Sequence, residues 1–151
     1  MTDITLMAEQ WGCKGKVLVC GNGGLAAESE HFVAELMGKF GRDVYVPAVA
    51  LTSNTSLLSA LANDMGWEDV FAHQVRVLAG PDDLVIGMTT SASKNVLRAA
   101  MVAHDLGASV LLVPGGAMHG ETVAEKQEWM AKQLHELALA LKERYARRQS
   151  E

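Results

Sequence analysis

Four short apolar runs, Lys16–Cys20, Tyr45–Leu51, Leu84–Met88 and Ser109–Val113, recur along this chain with helix-patterned segments between them, and this limits its possible folds most. Each run is apolar at nearly every position. A strand wetted on one face alternates apolar with polar residues, whereas a strand covered on both faces need not. The segments between carry apolar residues at helical spacing: Leu25–Met37, Ser56–Ala62, Trp67–Leu78 and Ser93–Leu106, with a last one from Val123 to about Arg147. Strands alternating with helices predict an α/β fold, a doubly wound parallel sheet of about four strands with helices on both faces. No linker, repeat or low-complexity stretch divides the chain, so residues 1–151 are expected to form a single domain. Such sheets bind ligands beyond the carboxyl ends of their strands. The loops Gly21–Gly24 and Thr89–Ser93 are therefore the places to look for chemistry.

With 49% hydrophobic and 21% charged residues, the chain has the composition of a globular domain. Its longest apolar runs, Val44–Leu51 and Val110–Val113, fall far short of the roughly 18 residues a membrane helix needs. No membrane association is expected. Asp3 and Glu9 occupy the N-terminal stretch in place of a basic segment followed by a long apolar one, so it does not read as a signal peptide. Of two cysteines, Cys13 and Cys20, the second ends an apolar run and reads as a small buried thiol, and a reducing cytoplasm fits both. A net charge of −5, with basic residues gathered only over Lys142–Arg148, argues against direct nucleic-acid binding. That basic run reads as a solvated helix end, favoured by the helix dipole.

After the first strand, Gly21-Asn22-Gly23-Gly24 turns straight into a helix, where backbone amides can approach a ligand, although a merely tight strand-to-helix turn would need the same glycines. It has neither the spacing of a dinucleotide fingerprint nor a P-loop lysine. The third strand ends in Thr89-Thr90-Ser91-Ala92-Ser93 before a helix. Four hydroxyls at a positive helix end suit a phosphate dianion, although Ser91 or Ser93 could equally be a helix cap. His31 and Glu35 are one helical turn apart and share a face, which fits proton transfer, a metal site or a surface ion pair. Gln127 and His135, eight positions apart, lie roughly 80° from each other around the helix axis and share a broad face. His73 and His104 read as surface or core residues, and His119 sits in a loop.

Taken in order, Val17-Leu18-Val19-Cys20-Gly21-Asn22-Gly23-Gly24 and His31-Phe32-Val33-Ala34-Glu35-Leu36 closely resemble the opening of a phosphoheptose isomerase, a family of the sugar isomerase (SIS) superfamily. Pro47-Ala48-Val49-Ala50-Leu51-Thr52, Asn63-Asp64, Glu68-Asp69-Val70-Phe71 with Gln74-Val75, and Ser93-Lys94-Asn95-Val96 resemble its later sections. The likeness covers about residues 15–115 and the last helix. It implies a flavodoxin-like, SIS-type domain and an aldose–ketose isomerase of a phosphorylated sugar, with a ketoheptose 7-phosphate, sedoheptulose 7-phosphate, as the natural substrate and D-glycero-D-manno-heptose 7-phosphate as product.

By the same resemblance Glu35 is the general base and His135 the general acid of an enediol mechanism. Asn22, Gly23, Gly24, Asn63, Asp64 and Gln127 line the sugar site, and Thr89, Thr90, Ser91 and Ser93 hold the phosphate. Some relatives hold zinc with the residues that match His31, Glu35, Gln127 and His135. The resemblance also implies a homo-oligomer, tetramer or dimer, in which Glu35 and His135 can meet across a subunit boundary.

Several positions depart from the family pattern. Leu25 stands where a serine is usual, Asn54 replaces an aspartate, Glu125 takes an arginine position, and the loop after Thr90 is one residue short. After Pro114-Gly115-Gly116 the chain runs almost directly into Glu121-Thr122-Val123, where relatives have another strand, and the part before Lys16 is short for their leading helix. These departures leave a second reading in view: a non-catalytic SIS binding module resembling the replication-initiator-associating proteins.

Overall fold

The structure is a computed structural model that describes residues 9, 11–114 and 119–151. Expectations resting on the stretch around Asp3 and on Gly115–Gly116 lie outside the described residues. Four strands, β1 (Val17–Gly21), β2 (Ala48–Ala50), β3 (Leu84–Met88) and β4 (Ser109–Val113), form one parallel sheet of order β2-β1-β3-β4. Among the described residues five α-helices follow the strands: α1 (Gly24–Met37), α2 (Thr55–Asp64), α3 (Val70–Leu78), α4 (Lys94–Asp105) and α5 (Val123–Gln149), with a 3-10 turn over Trp67–Asp69 before α3. Among the described residues no strand follows β4. None of the described helices is long and apolar enough to cross a membrane.

The two-faced burial predicted for the strands is complete in the central strands β1 and β3 and partial in the edge strands β2 and β4. Val17 and Val19 of β1, with Leu84, Ile86 and Met88 of β3, pack on α1 and α5, whose Phe32, Leu36, Leu134, Leu137 and Leu141 complete that layer. Leu18, Cys20 and Val85 point the other way and pack on Leu61, Phe71, Val75, Val96 and Ala99 of α2, α3 and α4. Successive strand side chains alternate between faces, so a strand apolar at every position feeds two cores at once. Gly87 leaves room for its neighbours on this side: a Cβ there would meet Val96 Cγ1 of α4 at 2.7 Å and Leu112 Cδ2 of β4 at 2.9 Å.

Two departures from the family pattern have local explanations. Asn54 is the N-cap of α2 and its side chain accepts from Leu57 N at 3.0 Å, a task asparagine performs as well as aspartate. Glu125 closes a capping box with Thr122, its carboxylate accepting from the backbone amides of Glu121 and Thr122 at 2.9 Å each. Those amides hold the Glu125 carboxyl below its ordinary range.

Three expectations need correction. The strand expected over Tyr45–Leu51 is only Ala48–Ala50, because Val46 donates its N–H to Leu36 O of α1 at 2.9 Å and Pro47 has no N–H to give. The helix expected from Trp67 begins as a 3-10 turn. The Lys142–Arg148 run is not a solvated end throughout: Lys142 is fully buried, and Arg144 donates to the carbonyls of Glu9 and Trp11 at 2.8 and 3.1 Å.

Candidate functional site

At the carboxyl ends of β1 and β3 the connections depart to opposite faces of the sheet, and there the two loops singled out in the sequence meet. Asn22 and Asn95 tie them together, each side-chain amide donating to the other's oxygen at 2.8 Å. Asn95 is 3% exposed, so this reciprocal pair satisfies an amide that burial would otherwise penalise. Gly23, at φ 58, is the N-cap of α1; it and Gly24 are exposed. Leu25, in place of the family's serine, is buried and joins the core.

In the second loop Thr89 Oγ1 accepts from Ser93 N at 2.9 Å and donates to Ser93 Oγ at 3.2 Å, with Ser91 Oγ 3.4 Å from Ser93 Oγ. Ser93 occupies the N-cap of α4, yet its side chain makes no capping bond. Capping thus does not account for the hydroxyls. Thr90 and Ser91 are exposed, and Ala92 has φ 53, a left-handed value uncommon for a residue with a side chain.

The second group is built by α1 and α5, which lie on the same face of the sheet and run in the same direction. Gly24 faces Gln127, whose Nε2 would be 3.0 Å from a Cβ at that glycine, Glu35 faces His135, and Gly38 with Phe40 faces Lys142. Glu35 Oε1 lies 3.1 Å from His31 Nε2 and 3.1 Å from His135 Nε2. The carboxylate is the floor of the group, its side chain 8% exposed, while the imidazoles of His31 and His135 are 52% and 44% exposed and remain open to a ligand. The two rings stand edge to face with centroids 5.6 Å apart, and Phe40 lies 5.4 Å from the His135 ring. His31 Nδ1 in turn points to Glu28 Oε2 at 3.6 Å.

His31, Glu35 and His135 together present two ring nitrogens and a carboxylate oxygen within 4.8 Å of one another, a donor set that could hold a metal ion. The same set can move protons, since an imidazole and a carboxylate share one small volume. Glu35 and His135 meet within a single chain, so no subunit boundary is needed to pair them.

Other expected site residues stand apart. Asn63 and Asp64 are exposed at the end of α2, where the Asn63 amide donates to Asp64 at 2.9 Å. His104 is exposed beside Asp105, His73 is half-buried, and the His119 ring lies 5.5 Å from Trp129. Sequence reasoning missed Asn95, Phe40 and Lys142. Of these, Lys142 carried a signal, since it follows His135 by two helical turns and so falls on the same stripe of α5.

A family model described as "SIS domain" matches residues 2–115. The chain is 45% identical to a phosphoheptose isomerase of Geotalea daltonii over 124 residues, 81% of this chain and 64% of that one. It is 50% identical to a phosphoheptose isomerase of Aquifex aeolicus over 102 residues, 66% of this chain and 53% of that one. The chain thus spans between about half and two thirds of the length of these curated relatives. Among solved structures it superposes on a phosphoheptose isomerase of Francisella tularensis with TM-score 0.81 at 30% identity, and on one of Neisseria gonorrhoeae with TM-score 0.76 at 31% identity. Each superposition covers 93% of this chain and 85% of the other. With its parallel sheet, its hydroxyl-rich loop and the joined helices α1 and α5, the chain belongs to the SIS domain family, among the phosphoheptose isomerases.

Proposed function

We propose that the chain is an aldose–ketose isomerase that interconverts sedoheptulose 7-phosphate and D-glycero-D-manno-heptose 7-phosphate in the cytoplasm. The observation that carries this reading is the meeting of two imidazoles on one buried carboxylate oxygen, Glu35 Oε1, at 3.1 Å each. Glu35 takes the proton from the carbon next to the carbonyl, and His135 delivers a proton to the carbonyl oxygen to leave a cis-enediol. Return of the protons, to the neighbouring carbon from Glu35 and from the second hydroxyl to His135, completes the exchange. The net reaction moves hydrogen between adjacent carbons and consumes no co-reactant. Thr89, Thr90, Ser91 and Ser93 with the first turn of α4 receive the phosphate, while Asn22, Gly23, Gly24, Asn63, Asp64 and Gln127 line the sugar.

The donor set of His31, Glu35 and His135, with Gln127 on the same helix as His135, fits zinc. A zinc ion held there would supply Lewis-acid polarisation of the substrate carbonyl. A homo-oligomer, dimer or tetramer, is part of the proposal and is checked by sedimentation. The adaptor reading is less well supported, because it leaves both the Glu35 group and the hydroxyl loop without a task.

The test is incubation of the purified protein with sedoheptulose 7-phosphate in deuterated water, with and without zinc, followed by NMR. Conversion with deuterium at the carbon next to the carbonyl supports the isomerase. Binding without conversion would overturn it in favour of the adaptor.

A further inference from the structure

Lys142 is the one fully buried lysine among the described residues. Burying an ammonium is costly unless its N–H groups find partners. Here they find them across the molecule: Nζ donates to Gly38 O at 2.6 Å and to Phe40 O at 2.9 Å. Both carbonyls belong to the turn that ends α1, whose own closing bond is Gly38 N to Ala34 O at 2.8 Å. A helix end can be closed by local groups or by water. Here a cation from another helix holds the carbonyls of the turn that follows the closing bond, and that helix also carries His135.

The clamped turn touches the candidate centre on two sides. Glu35 lies in the last turn of α1, one residue beyond Ala34, and Phe40 packs its ring on the His135 imidazole at 5.4 Å. A single ammonium therefore bonds the turn that follows the helix carrying Glu35 and that bears the ring beside His135. Burial pushes the Lys142 pKa down, and the carboxylates of Glu35 and Asp43 oppose that shift.

We infer that Lys142 is a positioning residue for the Glu35–His135 pair, acting through the Gly38–Phe40 turn rather than by touching substrate. Its relevance to catalysis rests on the isomerase reading, but the placement of the two side chains is measurable without turnover.

The experiment compares the full chain with Lys142→Met, with Lys142→Gln, which keeps an amide donor on a shorter stem, and with Leu111→Ala. The last opens the same core from β4 and serves as a control for stability lost without loss of the clamp. Three quantities are read below the melting temperature of every variant: the NOE between the Phe40 ring and the His135 imidazole, zinc affinity by chelator competition, and kcat against KM. For Lys142→Met we expect loss of the NOE, zinc binding about 10-fold or more weaker, and a fall in kcat with KM little changed. Lys142→Gln should lie between it and the parent, and Leu111→Ala should keep the NOE and the zinc affinity. An intact NOE with zinc affinity within twofold of the parent in Lys142→Met would overturn the inference, as would equal losses in Leu111→Ala. Should Lys142→Met not fold, Lys142→Gln decides by the same criteria. A parent protein that neither binds zinc nor converts the sugar would remove the isomerase reading, and the NOE would still decide the role of Lys142.

Discussion

Glu35 Oε1 and His135 Nε2 lie 3.1 Å apart although they come from helices far apart in the sequence, so the pair is created by the parallel packing of α1 on α5. Glu35→Gln keeps the shape of the side chain and one acceptor oxygen but removes the proposed base. Turnover is expected to fall by about 10²–10⁴-fold with the melting temperature within a few degrees of the parent. Unchanged turnover would remove Glu35 from the mechanism.

The hydroxyl loop gives a separate prediction. Thr89→Val removes the acceptor of the 2.9 Å bond from Ser93 N and one hydroxyl of the proposed phosphate site. Stability should drop by about 1 kcal/mol, while KM for the sugar phosphate rises more than kcat falls. Inorganic phosphate should raise the melting temperature of the parent and do so less for the variant, because a ligand that prefers the native state stabilises it.

Asn95→Ala leaves the Asn22 amide without its partner at the base of both loops. A loss of about 2 kcal/mol in urea unfolding is expected, together with weaker phosphate binding. A variant as stable as the parent would mean that the amide pair contributes nothing net.

Acid sensitivity should trace in part to Asp83. Burial pushes its carboxyl up, but the Lys16 ammonium at 2.7 Å and the amides of Lys16 and Gly80 outweigh this and hold it below the usual range. A carboxyl depressed in the folded state contributes stability above its unfolded pKa of about 4 and loses it as pH falls through the depressed value. Asp83→Asn should therefore cost about 2 kcal/mol at pH 7 and flatten the pH dependence below pH 4, as read by denaturant melts across that range.

Cys20 is fully buried and its thiol is pushed up to about 12 by that burial. Labelling by a thiol reagent at pH 8 should be confined to molecules that have opened, so its rate should rise with denaturant in step with unfolding. Rapid labelling in native buffer would contradict the packing of β1 on the α3–α4 layer.

The strands were the most legible part of the fold, because residues such as Val17, Leu18, Val19 and Cys20 are apolar without alternation and only a doubly covered parallel strand needs that. Tyr45–Leu51 misled for a physical reason: its apolar content resembles a strand, but two of its backbone bonding positions are taken by Leu36 O and by the missing N–H of Pro47. Of the candidate site, His31 and Glu35 could be paired from their spacing on one helix, whereas the amide tie between Asn22 and Asn95 could not, since nothing local to either asparagine points to the other. The basic run from Lys142 was misread because charge predicts exposure on average, and only three-dimensional packing reveals the carbonyls that make burial of one ammonium tolerable.

By itself the sequence determined the order of strands and helices, the two loops at the carboxyl ends of β1 and β3, and the shared face of His31 and Glu35, all of which follow from periodicity within short windows. Tertiary structure alone decided that α1 and α5 run side by side on one face of the sheet. That packing brings His135 onto Glu35 and Lys142 onto the end of α1, contacts between residues far apart in the chain that no local pattern encodes.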